Sequence, residues 1–211
     1  MSNRWGALAL LFAVRTVMAF QFQTVAALSP FIETAYGVGL GDVGLLLGLY
    51  MAPGIVLAIP GGALAARFGE KRVVILSLWL MALGLAMMAL LPGWGAAMAG
   101  RLIAGIGGIL MNVIMTKMVV DWFEGREIAT AMSIFIVSWP AGIALALLVL
   151  PPVAASAGLA AALWVAALAA ALAAVAFLTY RAAPGAGGAP VRRALSRRTL
   201  SAALSTGATW G

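Results

Sequence analysis

The sequence predicts an all-α membrane protein with six transmembrane helices, and three observations carry that expectation. Of 211 residues, 64% are hydrophobic and only 9% charged, whereas soluble domains are about half apolar and about a quarter charged. The apolar residues gather into six long runs separated by short polar or Pro/Gly-rich gaps, and mean hydropathy is +1.10. Lys and Arg concentrate in every second gap, the asymmetry that orients a chain in a bilayer.

The first run, Trp5 to Leu28, at about 1.5 Å per residue, crosses a ~30 Å hydrocarbon core. It is too long for the apolar core of a cleaved signal peptide, so it is read as a retained span. Ser29-Pro30 is expected to end it, leaving Glu33 to Asp42 as a Gly-rich acidic loop. The second run, Val43 to Leu64, carries Pro53, Pro60, Gly44 and Gly48. Small residues four apart let backbones approach and internal prolines kink a span, so a bent, closely packed helix is expected.

A charged island from Gly62 to Arg72 follows, containing Arg67, Glu70, Lys71 and Arg72. Val73 to Leu91 forms a third span, closed by the uncharged turn Pro92-Gly93-Trp94-Gly95. Ala96 to Val120 makes a fourth, with Arg101 and Asn112 inside it. It meets a second island holding Asp121, Trp122, Phe123, Glu124, Arg126 and Glu127. Ile128 to Leu150 is the fifth. Pro151-Pro152 is expected to turn the chain into a sixth, about Ala157 to Leu178. The bundle thus occupies residues 1–180, and 181–211 reads as a linker whose end, Thr209-Trp210-Gly211, could begin a seventh helix.

Arg4, Arg67, Lys71, Arg72, Lys117, Arg126, Arg181, Arg192, Arg193, Arg197 and Arg198 fall on one side of the membrane, with Arg15 and Arg101 inside spans. The positive-inside rule therefore predicts a multi-pass protein of a cytoplasmic (inner) or plasma membrane with both termini in the cytoplasm. The net charge of +7 does not signal nucleic acid, because the basic residues are dispersed between apolar runs rather than gathered on a polar face. The basic cluster after Pro190 reads as an orienting linker, with anionic lipid as a second reading. The chain contains no cysteine and no histidine, which removes thiol chemistry, the commonest metal ligands and the usual proton switch. No cofactor and no enzymatic constellation is expected.

The first island resembles the loop between the second and third helices of the major facilitator superfamily, roughly Gly-x-Leu-Ala-Asp-Arg-x-Gly-Arg-Lys-x. Gly62, Leu64, Ala65, Arg67, Gly69 and Lys71 match, while Ala66 replaces the usual acid and Glu70 a base. Arg101, Gly105 and Gly107 resemble the fourth-helix motif, and Asp121-Trp122-Phe123 with Arg126-Glu127 the loop before helix five. The helix-five antiporter motif is not met, because Trp139 precedes Pro140 where glycine is needed. The context of Arg15, with Gln21 and Gln23, resembles the nitrate, cyanate and organic-anion branches. The resemblance implies one six-helix half of a twelve-helix fold, made of two inverted three-helix repeats. A C-terminal half, or a second copy of this chain, would complete it. It also implies a cytoplasmic charge network, Gly62, Arg67, Gly69, Lys71, Arg72, Asp121 and Arg126, that latches one state, with Arg67 and Asp121 the expected pair.

Arg15 lies about 10 residues, roughly 15 Å, into its span. A charge at that depth costs about 2.5 to 3.5 kcal/mol, so it faces either a wet cavity or backbone carbonyls of a neighbour. Arg101 has Gly105, Gly108 and Asn112 within ~40° of its helix face. That stripe describes a substrate-facing surface and a packing seam equally well. Gln23 lies nearer the Arg15 face than Gln21, which is expected to bond a neighbouring helix. Tyr50 is expected to pack in the bundle rather than to meet cargo.

Two buried cations and no buried acid predict alternating-access transport of a small inorganic or organic anion, with Arg15, Gln23, Arg101 and Asn112 as substrate-binding candidates. If this is a proton-coupled symport, the protonatable group lies outside this half's core. Proton-coupled drug or cation efflux, and a non-transporting membrane fragment, are the alternative readings.

Overall fold

The computed structural model describes residues 4–125 and 127–183. These residues form helices α1 (Arg4–Ala27), α2 (Ser29–Tyr36), α3 (Leu40–Met51), α4 (Pro53–Phe68), α5 (Glu70–Leu90), α6 (Trp94–Phe123), α7 (Ile128–Ala157) and α8 (Leu159–Phe177), and among the described residues there is no strand. Six segments are long and apolar enough to cross a membrane, Leu40–Leu57 joining α3 to the start of α4. The protein is an integral, multi-pass, all-α membrane protein.

Two expectations about the connections need correction. Ser29-Pro30 does not open a loop: Pro30 sits in the first turn of α2, where its missing N–H costs nothing and its fixed φ suits a helix. Glu33 is therefore helical, and Asp42 lies in the first turn of α3, accepting from the Gly39 N–H at 3.1 Å. Nor does Pro151-Pro152 turn the chain. α7 runs through both prolines to Ala157, and the reversal comes at Gly158, whose φ of 86° suits glycine. Leu150 and Ala154, 0% and 3% exposed, anchor the helix on either side of the two lost donors.

The second span is interrupted between Met51, which ends α3, and Pro53, which opens α4. Its glycines behave differently from expectation. A Cβ on Gly44 or Gly48 would meet nothing within 4 Å, whereas one on Gly84 of α5 would stand 2.8 Å from Ala104 N of α6. Close backbone approach occurs where α5 packs against α6 and where α1 packs against α7. At the second seam a Cβ on Gly142 would lie 2.7 Å from Ala19 Cβ.

The apolar core is divided in depth. One cluster, with Leu11, Met18, Leu78, Met115, Phe135 and Phe177, fills the end bearing the basic loops. The other, with Val25, Leu46, Leu85, Ala146 and Ala166, fills the opposite end. On α6 the interval between the two clusters contains Arg101, Gly105 and Gly108; on α7 it contains Ser138 and Gly142, with Trp139 packed against the first cluster. Two fully buried polar side chains, Arg101 and Ser138, lie in this interval.

Candidate functional site

The polar groups of the spans begin on α1. Arg15 is half-buried, and its NH1 donates to the Phe135 carbonyl of α7 at 3.0 Å. The guanidinium lies over the Phe135 ring, 4.3 Å from its centroid, and 6.0 Å from that of Trp139. Its Nε is buried without a hydrogen-bond partner among the described residues. One nitrogen is therefore tied to a backbone carbonyl of a neighbouring helix, while another donor is unused.

Arg101 has a different environment. It is 0% exposed, and each of its nitrogens donates to a carbonyl. Nε reaches Leu46 of α3 at 3.3 Å, NH1 reaches Gln21 at 3.1 Å and NH2 reaches Phe22 at 2.6 Å, both on α1. Its plane covers Tyr50 at 4.5 Å from the centroid. A planar five-donor head is suited to joining carbonyls on two helices. In this arrangement Arg101 lies inside the wall and closes it, rather than presenting a donor to a cavity.

The glycines beside Arg101 explain how Tyr50 enters. A Cβ on Gly105 would fall 2.8 Å from Tyr50 Cα, and one on Gly108 would fall 2.6 Å from Tyr50 Cζ. The stripe is a packing seam for an aromatic side chain, and Tyr50, 1% exposed, packs in the bundle as expected. Among the described residues its hydroxyl lacks a partner, as does the side-chain oxygen of half-buried Asn112, one turn further along α6 from Gly108. Gln21 is fully buried and donates to the Ala166 carbonyl of α8 at 3.1 Å, as expected for a helix-to-helix bond. Gln23 is half-buried.

Aromatic residues link these groups. Phe22 stands 5.5 Å from Tyr50 and 5.3 Å from Trp139, centroid to centroid. A chain of contacts therefore runs Arg15, Trp139, Phe22, Tyr50, Arg101 across four helices. In the sequence Trp139 stands out only as the residue that breaks the helix-five motif. The available signal was the position of Phe22, about 20° from Arg15 on the helical wheel.

At the basic end, the expected Arg67–Asp121 pair is not formed. Asp121 accepts from Lys117 at 2.6 Å on its own helix, and Lys117 also donates to Glu70 at 2.5 Å. Glu70, replacing the usual base, brings a carboxylate to Lys117 from the first turn of α5, so Asp121 is engaged without Arg67. Arg67 lies over its neighbour Phe68, 5.4 Å from the centroid. Lys71 donates to the Leu178 carbonyl at 2.6 Å, and Arg72 is exposed. Gly69 has a φ of 88°, a left-handed turn that accounts for glycine there. Gly62 is exposed, with open space at its Cβ position. Arg126 and the linker from Pro184 onward lie outside the described residues.

A separate recess of about 490 Å³ lies at the opposite end, lined by Tyr36, Met88, Pro92, Trp94, Leu159 and Leu163 among others. Tyr36 donates to the Met88 carbonyl at 3.2 Å. The recess has no charged lining residue.

The chain matches the model of the Major Facilitator Superfamily over residues 11–210. It is 27% identical over 138 residues to an uncharacterized transporter of Buchnera aphidicola subsp. Schizaphis graminum (strain Sg), a match covering 63% of this chain and 35% of that protein. Among solved structures it resembles peptide transporter POT in complex with sulfate, at 21% identity and a TM-score of 0.74, covering 96% of this chain and 44% of that one. It also resembles a POT family transporter in complex with 5-aminolevulinic acid, at 20% identity and a TM-score of 0.74, covering 95% and 43%. The chain thus spans less than half the length of these proteins. With six apolar helices in this arrangement and a family match over nearly its whole length, the chain belongs to the major facilitator superfamily.

Proposed function

We propose that this chain supplies one half of an alternating-access transporter for a small anion, with Arg15 as the principal substrate contact. The observation that carries the reading is the unused Nε of a half-buried arginine at mid-depth. Burying a guanidinium in a bilayer is costly, and an arriving anion offsets that cost with charge-assisted hydrogen bonds. All six acidic residues, Glu33, Asp42, Glu70, Asp121, Glu124 and Glu127, lie near helix ends or in the connections. The half therefore offers a cation to cargo and no mid-depth carboxylate, which disfavours cation efflux. Asn112 and Gln23 add neutral polar groups, and Arg101 acts as the fixed brace behind them. The basic loops face the cytoplasm in this reading, and a second six-helix half or a second copy of the chain closes the cavity.

The test is uptake of nitrate, sulfate and simple carboxylates by cells expressing the complete gene product. Arg15→Gln is expected to reduce uptake of the transported anion at least about tenfold, on the scale of one lost charge-assisted contact. Undiminished uptake by a well-expressed Arg15→Gln protein rejects Arg15 as the substrate contact.

A further inference from the structure

Arg15 and its aromatic neighbours carry an inference about cargo class that rests on the anion reading above. The guanidinium is used asymmetrically. NH1 is held by the Phe135 carbonyl at 3.0 Å, and the buried Nε has no partner among the described residues. In an arginine, Nε and NH2 share the edge remote from NH1, and that edge is the one that grips a carboxylate through two parallel hydrogen bonds. The Phe135 ring backs the guanidinium at 4.3 Å, fixing its plane.

Half-buried Trp139 has its ring centroid 6.0 Å from the guanidinium, and half-buried Phe22 stands 5.3 Å from Trp139 with the two planes tilted by 38°. Phe22 is held in turn by the edge-to-face contact with Tyr50, which the Gly105 and Gly108 seam locates. The pair is therefore braced on both sides. A spherical or strongly hydrated anion makes little use of an indole and a phenyl face. A flat conjugated body attached to a carboxylate does, through offset or edge-to-face ring contacts.

We infer that the site selects a planar aromatic carboxylate over inorganic anions, with Arg15 holding the carboxylate and Trp139 and Phe22 holding the ring. Trp139 is then a specificity-determining residue, occupying the position before Pro140 on α7.

The experiment is equilibrium binding of radiolabelled benzoate to the complete gene product in nanodiscs, with competition by nitrate and by cyclohexanecarboxylate. The latter has the same charge and similar size but no flat ring. Benzoate is expected to bind about tenfold more tightly than either competitor, the scale of one good aromatic contact. Trp139→Leu is expected to remove most of that preference while leaving nitrate within about twofold, and Trp139→Phe to restore part of it. Arg15→Gln is expected to weaken all three anions. Equal binding of the three anions by the unaltered protein overturns the aromatic inference, and needs no variant to fold. Nitrate binding that still depends on Arg15 would, in that case, leave the anion reading standing. Loss of neither benzoate nor nitrate binding in Arg15→Gln overturns both.

Discussion

Lys117 Nζ stands 2.5 Å from Glu70 Oε1, linking α6 to the first turn of α5 at the basic end of the bundle. The same ammonium holds Asp121 at 2.6 Å, so one cation serves two carboxylates. Partly exposed pairs contribute only about 0–1 kcal/mol each, but Glu70→Lys would both remove a carboxylate and set a like charge beside Lys117. We expect Glu70→Lys to destabilise the detergent-solubilised protein by about 1 kcal/mol, lowering Tm by about 2–4 °C. Arg67→Ala should change Tm by less than about 1 °C, because among the described residues Arg67 makes no ion pair. A larger loss for Arg67→Ala would mean that Arg67, not Lys117, anchors this end.

The two mid-depth arginines should separate in their effects on stability and on binding. Arg101 spends its three nitrogens on carbonyls of Leu46, Gln21 and Phe22, and hydrogen bonds from charged donors contribute about 1.5–3 kcal/mol each in favourable cases. Arg101→Met should lower Tm by about 5–10 °C with no substrate present. Arg101→Lys should recover less than half of this, since an ammonium cannot span the same three acceptors or lie flat on Tyr50. Arg15→Gln, losing one backbone contact and the stacking on Phe135, should lower Tm by less than half as much as Arg101→Met while weakening anion binding. Thermal unfolding of the ligand-free variants checks the order.

The number of spans, their approximate limits and the basic end were legible because apolar run length and the distribution of Arg and Lys depend only on local sequence. The turns were less so. Pro30 and Pro151-Pro152 look alike as helix breakers, yet Pro30 starts a helix and the pair is carried through one, because Leu150 and Ala154 hold α7 in the core. The depth of Arg101 was legible, but its role was not. A glycine stripe is compatible with a cavity wall and with a seam, and only the position of Tyr50 from another helix decides between them. The Glu70 to Lys117 link joins residues 47 apart in sequence, beyond the reach of any local pattern.

Glycine tolerance should follow the seams rather than the spacing in the sequence. Gly44 and Gly48 have the four-residue interval associated with close helix contact, but open space lies where their Cβ atoms would be. Gly48→Ala should therefore be neutral or add about 0.5–1 kcal/mol from helix propensity. Gly142→Ala would push a methyl to 2.7 Å from Ala19 Cβ and prise α7 from α1. Overpacking of this kind costs about 1–3 kcal/mol. Expression level and Tm of the two alanine variants, compared side by side, test this; equal values would show that the α1–α7 seam is not close-packed.

Tyr180, just beyond the last span, should give the protein an alkaline limit. Trp122 Nε1 donates to its hydroxyl at 2.9 Å, and its ring is stacked on Phe177 at 4.9 Å. Burial pushes the phenol up to about 12 from the ordinary value of 10.0. An unfolded chain therefore releases this proton at lower pH than the folded one. The contribution is fully present below pH ~10 and is lost as pH rises towards 12, since above 10 the unfolded state binds fewer protons. Tyr180→Phe has no proton to lose. The Tm advantage of the unaltered protein over Tyr180→Phe should accordingly shrink between about pH 9.5 and 11.5. All other groups are common to the two proteins and drop out of the difference. A gap that stays constant across that range would show that the Tyr180 phenol ionises as readily in the folded protein as in the unfolded chain.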